Sequence, residues 1–307
     1  MKNIIWLIAH QPERLFLRTA KAFAKMLEKE TNEIKIEILT TEQYKEKYDP
    51  SFSREKIFDL VKDNVIQMSQ TEVWELESLT HDKNWLVFDM PWLFKSHSHA
   101  RRVLEGKIGA QMNKRLAKQS GVRGLAYTYS GGYRCVGSKV LIKNLSELQT
   151  RKLRVNSNPV TQDYWKSLGV EVTNQNVHFG SNDPVLPEDI HGKDTTYIRY
   201  EKADAWLHTE HSLFLTNILA SEKFFDTLSA DMQETFKKIA FEAARLERKW
   251  SQEDAENFVE TAKERNVPIT ELSQEDKEVM KEKSKTVYEK WSKVFFPGLI
   301  DGINKLA

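Results

Sequence analysis

The sequence predicts an α/β protein built as two lobes, and three features carry that prediction. Residues 4–39 read as strand, helix, strand, the unit that builds a parallel sheet with a right-handed crossover. The 307 residues suffice for two ordinary lobes with separate cores. A helical pattern from Ser229 to about Arg265 would reach ~55 Å at 1.5 Å per residue, longer than one lobe is wide, so it either breaks or braces both.

Taken in order, Ile4 to Ala9 is apolar on both faces, as in a central strand covered by helices. From Arg14 to about Glu30, Leu15, Phe16, Ala20, Phe23, Met26 and Leu27 recur near the helical period. Thr31-Asn32-Glu33 ends that helix, and Ile34 to Leu39 alternates as a half-buried strand. Tyr44 to Pro50 reads as loop, Ser53 to Asp63 as an amphipathic helix carrying Ile57, Leu60 and Val61, and Val65 to Ser69 as a third strand. Met90-Pro91-Trp92-Leu93-Phe94 is an aromatic turn ahead of helical stretches at His97 to Leu104 and Ile108 to Gln119. Leu125 to Tyr129 is a strand ending in Ser130-Gly131-Gly132-Tyr133-Arg134-Cys135. Its paired glycines allow a sharp turn and mark the first crossing between lobes. A helix-like turn at Asn144 to Leu148 precedes the short strand Lys152-Leu153-Arg154-Val155, with the helix-like run Val160 to Leu168 behind it. Beyond the long helix, Val267 to Leu272 reads as a late strand and Gln274 to Phe295 as a final amphipathic helix. The resulting division assigns residues 1–125 and about 212–250 to an N-terminal lobe, and 126–211 and about 251–307 to a C-terminal lobe.

Charge excludes one class of partner. The 46 basic residues nearly cancel the 45 acidic ones, so nothing resembles a phosphate-backbone footprint and nucleic acid is not an expected partner. Mean hydropathy is -0.58 and no apolar run approaches the ~18 residues of a spanning helix. The single cysteine, Cys135, excludes an internal disulfide and a multi-cysteine metal site. Met1-Lys2 followed by Ile4 to Ala9 has the outline of a signal core, but the apolar run is short and no small-residue cleavage site precedes His10. It reads as a buried first strand, with any signal peptide absent from this chain.

An arginine between apolar neighbours on a strand is expensive to bury unless an anion meets it. Arg154 is therefore either half of a structural ion pair or the anchor of a carboxylate-bearing ligand. His10, after the first strand, and Gln70 and Glu72, after the third, lie at the carboxyl ends of neighbouring strands, where open α/β sheets place their ligands. Tyr129, Tyr133, Phe179 and Tyr197 are candidates for pocket walls.

The opening strand and helix, the Met90 to Phe94 turn, Gly132-Tyr133-Arg134, Leu153-Arg154-Val155 with Leu168-Gly169 beyond it, and Phe225-Asp226-Thr227-Leu228-Ser229 form an ordered set. In that order and spacing the chain resembles, over nearly its whole length, the dicarboxylate-binding type of solute-binding protein from tripartite ATP-independent periplasmic (TRAP) transporters. The resemblance implies a two-lobed, periplasmic-binding-protein-like fold (type II). Each lobe would be a mixed, mostly parallel sheet flanked by helices, with a long helix spanning both. It implies a periplasmic protein that closes by a hinge on a small organic acid and delivers it to membrane permease subunits, with no catalysis; no cofactor is expected, and a monomer is the default with the oligomeric state left open. It places the two-pronged salt bridge to the ligand carboxylate on Arg154, whose guanidinium fork matches a carboxylate. Arg134 follows as a second ligand contact or a brace, and an ungapped comparison sets Asp194 and Thr195 where the family shows Glu-Asn. The stretch from Phe179 to Thr195 departs from the family pattern, with Pro187 set to interrupt a helix begun at Pro184, so the identity of the acid does not transfer from a relative.

His208 and His211 are three apart, a spacing that can share a helix face, but no third ligand stands at a recognisable distance and no metal is expected. His97 and His99 should diverge on their helix, and Cys135 reads as a small buried side chain. The alternatives to a TRAP receptor are a solute receptor of an ATP-driven importer and a two-lobed enzyme acting on a carboxylate. For the enzyme the sequence offers no nucleophile elbow, phosphate-cradling glycine loop or complete metal set.

Overall fold

The computed structural model describes residues 2–174, 186–199 and 201–307. Its opening unit forms as the hydrophobic pattern dictates. Strand β1 (Lys2–Ile8) buries Ile4, Trp6, Leu7 and Ile8 and runs parallel to β2 (Ile34–Thr40), from Lys2 beside Ile34 to Ile8 beside Thr40. The helix Glu13–Glu30 between them buries Leu15, Phe16, Ala20, Phe23 and Leu27 on one face. The Trp6 and Phe23 rings meet edge to face at 5.3 Å, and Phe23 meets Phe236 of the long helix at 5.5 Å. Full burial of each such ring contributes about 1.5–3 kcal/mol.

The remaining strands are β3 (Met68–Glu72), β4 (Val122–Tyr133), β5 (Cys135–Ser138), β6 (Lys152–Arg154), β7 (Glu171–Thr173), β8 (Gly192–Thr195), β9 (Ala205–His208), β10 (Leu213–Ser221) and β11 (Ile269–Glu271). They form two mixed sheets, of order β2-β1-β3-β10-β4 and β11-β9-β5-β8-β6-β7. In the first, β10 runs antiparallel to β3 and β4; in the second, β5 runs antiparallel to β8 and β9; the other pairs are parallel. Helices flank both sheets, the two-lobed α/β architecture expected.

Two strand crossings join the sheets, and they lie side by side. β4 passes into β5 through Arg134, and β9 passes into β10 through residues 209–212. The Arg134 N–H donates to the Ser212 carbonyl at 2.8 Å, and Thr209 Oγ1 donates to the Arg134 carbonyl at 3.3 Å. Residues 126–133, assigned from the sequence to the second lobe, continue β4 in the first sheet, so the change of sheet falls at Arg134.

The third link is the helix Ala230–Glu264, unbroken over 35 residues and so ~52 Å long. Ser229 caps it by accepting the Met232 N–H. Along the free edge of β4 it supplies the missing ladder partners. Glu247 accepts the Tyr129 N–H, Ser251 Oγ accepts the Gly131 N–H, and Arg248 donates to the Tyr127 carbonyl. The chain's end also spans the assembly: Tyr288 donates to the Pro91 carbonyl, Lys290 meets Asp163 of the helix Pro159–Ser167, and His99 Nε2 lies 2.8 Å from the Ile303 carbonyl.

Several local expectations shift. Tyr44 to Pro50, expected as loop, overlaps the helix Thr41–Lys47, which begins in a reciprocal cap between Thr40 and Gln43. Ser53 to Asp63 divides into a 3₁₀ turn, Arg54–Lys56, and the helix Ile57–Lys62. The third strand begins at Met68, because Val65 is exposed in the preceding turn. Gln70 and Glu72 are consequently buried within β3 instead of lying on a loop beyond it.

Candidate functional site

The buried ends of β3, β6 and β8 and the two crossing segments bring an unusual density of charge together. Glu72, last residue of β3, lies with Oε1 3.0 Å from Arg199 Nη1 and 2.9 Å from His10 Nε2, and with Oε2 3.9 Å from Arg134 Nη2. Trp74 Nε1 donates to the same Oε2 at 2.5 Å. Because the Gln11 N–H donates to His10 Nδ1 at 2.8 Å, the neutral imidazole carries its proton on Nε2, toward Glu72. Asp194 on β8 lies with Oδ1 3.4 Å from Arg134 Nη1 and Oδ2 3.4 Å from His211 Nε2, and Oδ2 accepts Trp165 Nε1 at 2.8 Å. The Arg134 and Arg199 guanidiniums stand 3.5 and 4.4 Å from the centre of the Phe214 ring, a cation–π arrangement that holds both in place.

Arg154, at the end of β6, completes the cluster. Burial, with Arg199 and Arg134 nearby, lowers its pKa to about 10 against the pull of Glu72 and Asp194. Burial alone would raise Glu72, but Arg199, His10 and Arg134 outweigh it and hold the carboxyl well below the usual range. Asp194 follows the same logic: burial opposes ionisation, Arg134 and His211 favour it, and the result is about 2. Asp89, at the end of the turn before Met90, goes the other way, because burial and the negative charges of Glu72 and Asp194 prevail over Arg134 and push it up to about 7. Three guanidiniums thus share a buried region with two firmly ionised carboxylates and one carboxyl on the edge of protonation.

Of the residues singled out from the sequence, the structure brings together His10, Glu72, Arg134, Arg154 and Asp194. Thr195 is buried in the ladder opposite Cys135. Gln70 donates to Thr128 and Thr216 between strands of the first sheet. Tyr133 donates to the Phe94 carbonyl and faces His97. Tyr197 bonds His208 Nδ1 at 2.5 Å and packs on Trp206 and Phe258. Phe179 lies outside the described residues. His208 and His211 share no helix, since one ends β9 and the other sits in the crossing. Among the described residues no group of three or more His, Cys, Asp or Glu is arranged to hold a metal ion, and no helix is long and apolar enough to cross a membrane.

Sequence reasoning missed Arg199, Trp165, Phe214 and Asp89, and weighed His211 only as a metal ligand, not as a partner of Asp194. Arg199 carried the same signal as Arg154, a cation beside apolar Tyr197 and Ile198. The others act through contacts formed only when distant strands meet.

Comparison with known proteins places the chain in a family. The chain is 24% identical over 188 residues to the 2,3-diketo-L-gulonate-binding periplasmic protein YiaO of Escherichia coli (strain K12), covering 60% of this chain and 57% of that protein. It is 25% identical over 228 residues to the C4-dicarboxylate-binding protein DctB of Bacillus subtilis (strain 168), covering 70% and 63%. The matches thus span about three fifths of the length of these relatives. Among solved structures, a TRAP periplasmic solute-binding protein from Shewanella oneidensis with bound succinate superposes with a TM-score of 0.83 at 17% identity, covering 99% of each chain. One from Haemophilus influenzae with bound L-gulonate gives 0.82 at 19% identity, covering both chains fully. At those identities the likeness establishes the fold. The model for bacterial extracellular solute-binding proteins, family 7, matches residues 8–178 and 198–294, and the chain belongs to that family.

Proposed function

We propose that this protein captures a small organic acid in the cleft between its two sheets and delivers it to a TRAP-type membrane permease outside the cytoplasm, without catalysis. The observation that carries the reading is the gathering of Arg134, Arg154 and Arg199 around two ionised carboxylates, Glu72 and Asp194. Buried guanidiniums are stabilised by anions close to them, and a carboxylate suits the planar fork. Arg154 is the anchor, while Arg134, tied to Asp194 and stacked on Phe214, is the positioned second contact. The relatives named above for their gulonate and dicarboxylate ligands support an acid as the class.

The cluster draws on β3 of the first sheet, β6 and β8 of the second, and both crossings. Ligand contacts made from both sides favour the closed state, and only that differential affinity shifts the equilibrium. The lobes are the two sheets with their helices, hinged at Arg134 and at 209–212. Native mass spectrometry of the purified protein, with fragmentation of any released molecule, together with calorimetric titration of the stripped protein against a panel of acids, tests the reading. Binding of an acid, recovered unchanged, is expected. A protein that binds no acid, or that turns one over, overturns it.

A further inference from the structure

Arg134 and Arg199 reach the cluster from different segments of the chain, and one aromatic ring lies against both. Phe214 is only 2% exposed, and its ring centre stands 3.5 Å from the guanidinium carbon of Arg134 and 4.4 Å from that of Arg199. It is the second residue of β10, just past the second crossing, whereas Arg134 is the residue through which β4 passes into β5. The local ladder sets it there. Leu213 pairs with Tyr133 and Leu215 with Tyr129, so two steps along β10 oppose four along β4, and Phe214 sits at that irregularity. A bulge of this kind re-aims side chains, and β4 accommodates it with Gly131 and Gly132, both at positive φ.

Distances decide what fixes Arg134. Charge-assisted hydrogen bonds run to about 2.7–2.9 Å. Its carboxylate partners are farther away, Asp194 at 3.4 Å and Glu72 at 3.9 Å, while the ring at 3.5 Å is in van der Waals contact. Nε and Nη2 of Arg134 have no hydrogen-bond partner among the described residues, so its face is taken while its edge keeps donors to spend. Arg199, with Glu72 at 3.0 Å, is held by carboxylate and ring together.

We propose that Phe214 is a positioning residue for ligand binding: the negative face of its ring holds the Arg134 guanidinium, with Arg199 beside it, in the orientation that meets a bound anion, and the ring itself does not touch the ligand. The gain in affinity comes from order established before the ligand arrives. This inference rests on the organic-acid reading above and deepens it.

Replacing Phe214 by 4-fluoro-, 3,5-difluoro- and 3,4,5-trifluorophenylalanine nearly keeps the ring's shape while drawing charge from its face; Phe214→Leu removes the face altogether. Each ligand-stripped protein is titrated calorimetrically with succinate and with D-gluconate. For each acid that the wild type binds, affinity is expected to fall in steps of about twofold per fluorine, and by about tenfold or more in Phe214→Leu. Unchanged affinity across the fluorinated series would reduce Phe214 to packing and overturn the proposal. Affinity that rises with fluorine would set the ring against the ligand anion itself, because the unmodified face repels an anion, and overturns it equally. The fluorinated series decides the matter even where Phe214→Leu fails to fold. A wild type that binds no acid of the wider panel overturns the organic-acid reading and this inference with it; every other outcome is read against a binding wild type and concerns Phe214 alone.

Discussion

Glu247 of the long helix accepts the backbone N–H of Tyr129 at 2.8 Å, joining a buried carboxyl to the strand that leads into the first crossing. The side chain is fully buried, and its second oxygen has no partner among the described residues. Burial raises its pKa well above the usual carboxylate range, against the Tyr129 hydrogen bond and Arg248. A carboxyl whose folded pKa is raised contributes stability that is present below its unfolded pKa and lost as pH rises through the folded one. Glu247→Gln keeps an acceptor for Tyr129 and removes the titration. It is expected to stabilise the protein at pH 8 by about 1–3 kcal/mol, with less effect at pH 5, as read by urea denaturation at both values.

Arg154→Ala removes the cation assigned to the ligand carboxylate. Binding of the preferred acid should weaken by about 2–5 kcal/mol, roughly 30-fold to several thousand-fold, because the ligand charge is left buried and unmatched. Calorimetry gives the affinity and circular dichroism the fold. Undiminished affinity in a folded variant would move the anchor to another arginine.

Glu72 touches His10 and Arg199 and lies near Arg134, so its loss leaves buried cations uncompensated. Glu72→Gln should cost about 3–5 kcal/mol of stability at pH 7. Both Glu72 and Asp194 have lowered folded pKa values, so their contribution is present above the unfolded carboxylate range and is lost as pH falls, toward about 2 for Asp194. Wild-type stability should therefore fall steeply below pH 4, and the gap between wild type and variant should narrow there. A constant gap from pH 7 to pH 3, measured by denaturant midpoint, would argue against an ionised Glu72.

Asp89 is pushed up to about 7 by burial and by Glu72 and Asp194, with Arg134 opposing. As pH rises through that value it gains a negative charge beside the proposed ligand site. Affinity for an anionic ligand should accordingly decline by up to about tenfold between pH 6 and pH 8.5. Asp89→Asn should abolish most of that decline, and titrations across the range in both proteins compare the slopes directly.

The elements most legible in the sequence were those whose burial follows one regular period: β1, the helix Glu13–Glu30, β2 and the long helix. β10 was not, because Thr216 and Asn217 interrupt an otherwise apolar strand that is nonetheless buried throughout; its polar side chains meet partners on neighbouring strands and helices. The site divides the same way. Arg154 announced itself as a cation on an apolar strand, and His10 and Glu72 by their place at strand ends. Asp89 gave no signal, since a carboxyl after Val87-Phe88 looks like any turn residue until Glu72 and Asp194 arrive from elsewhere in the chain. Tyr133 and Tyr197 were drawn in by residue type alone, and their hydroxyls are engaged with Phe94 and His208.

Gly131 and Gly132 precede the first crossing by a few residues and both have positive φ, 98° and 82°. Either substitution by alanine therefore meets backbone strain, on the order of 1–2 kcal/mol. Their surroundings differ. A Cβ on Gly132 would meet nothing within 4 Å, whereas one on Gly131 would come within 2.2 Å of Thr196 Oγ1 and 2.7 Å of its Cβ. Thr196 is itself fixed, because its hydroxyl donates to the Ser130 carbonyl, and the Gly131 N–H is held by Ser251 of the long helix. Gly131→Ala should consequently destabilise the protein by at least about 2 kcal/mol more than Gly132→Ala, since overpacking adds to the shared strain. Urea denaturation of the two variants measures the difference. Equal losses would mean that the crossing yields freely at Thr196, and that the long helix does not hold β4 in register where the chain passes between sheets.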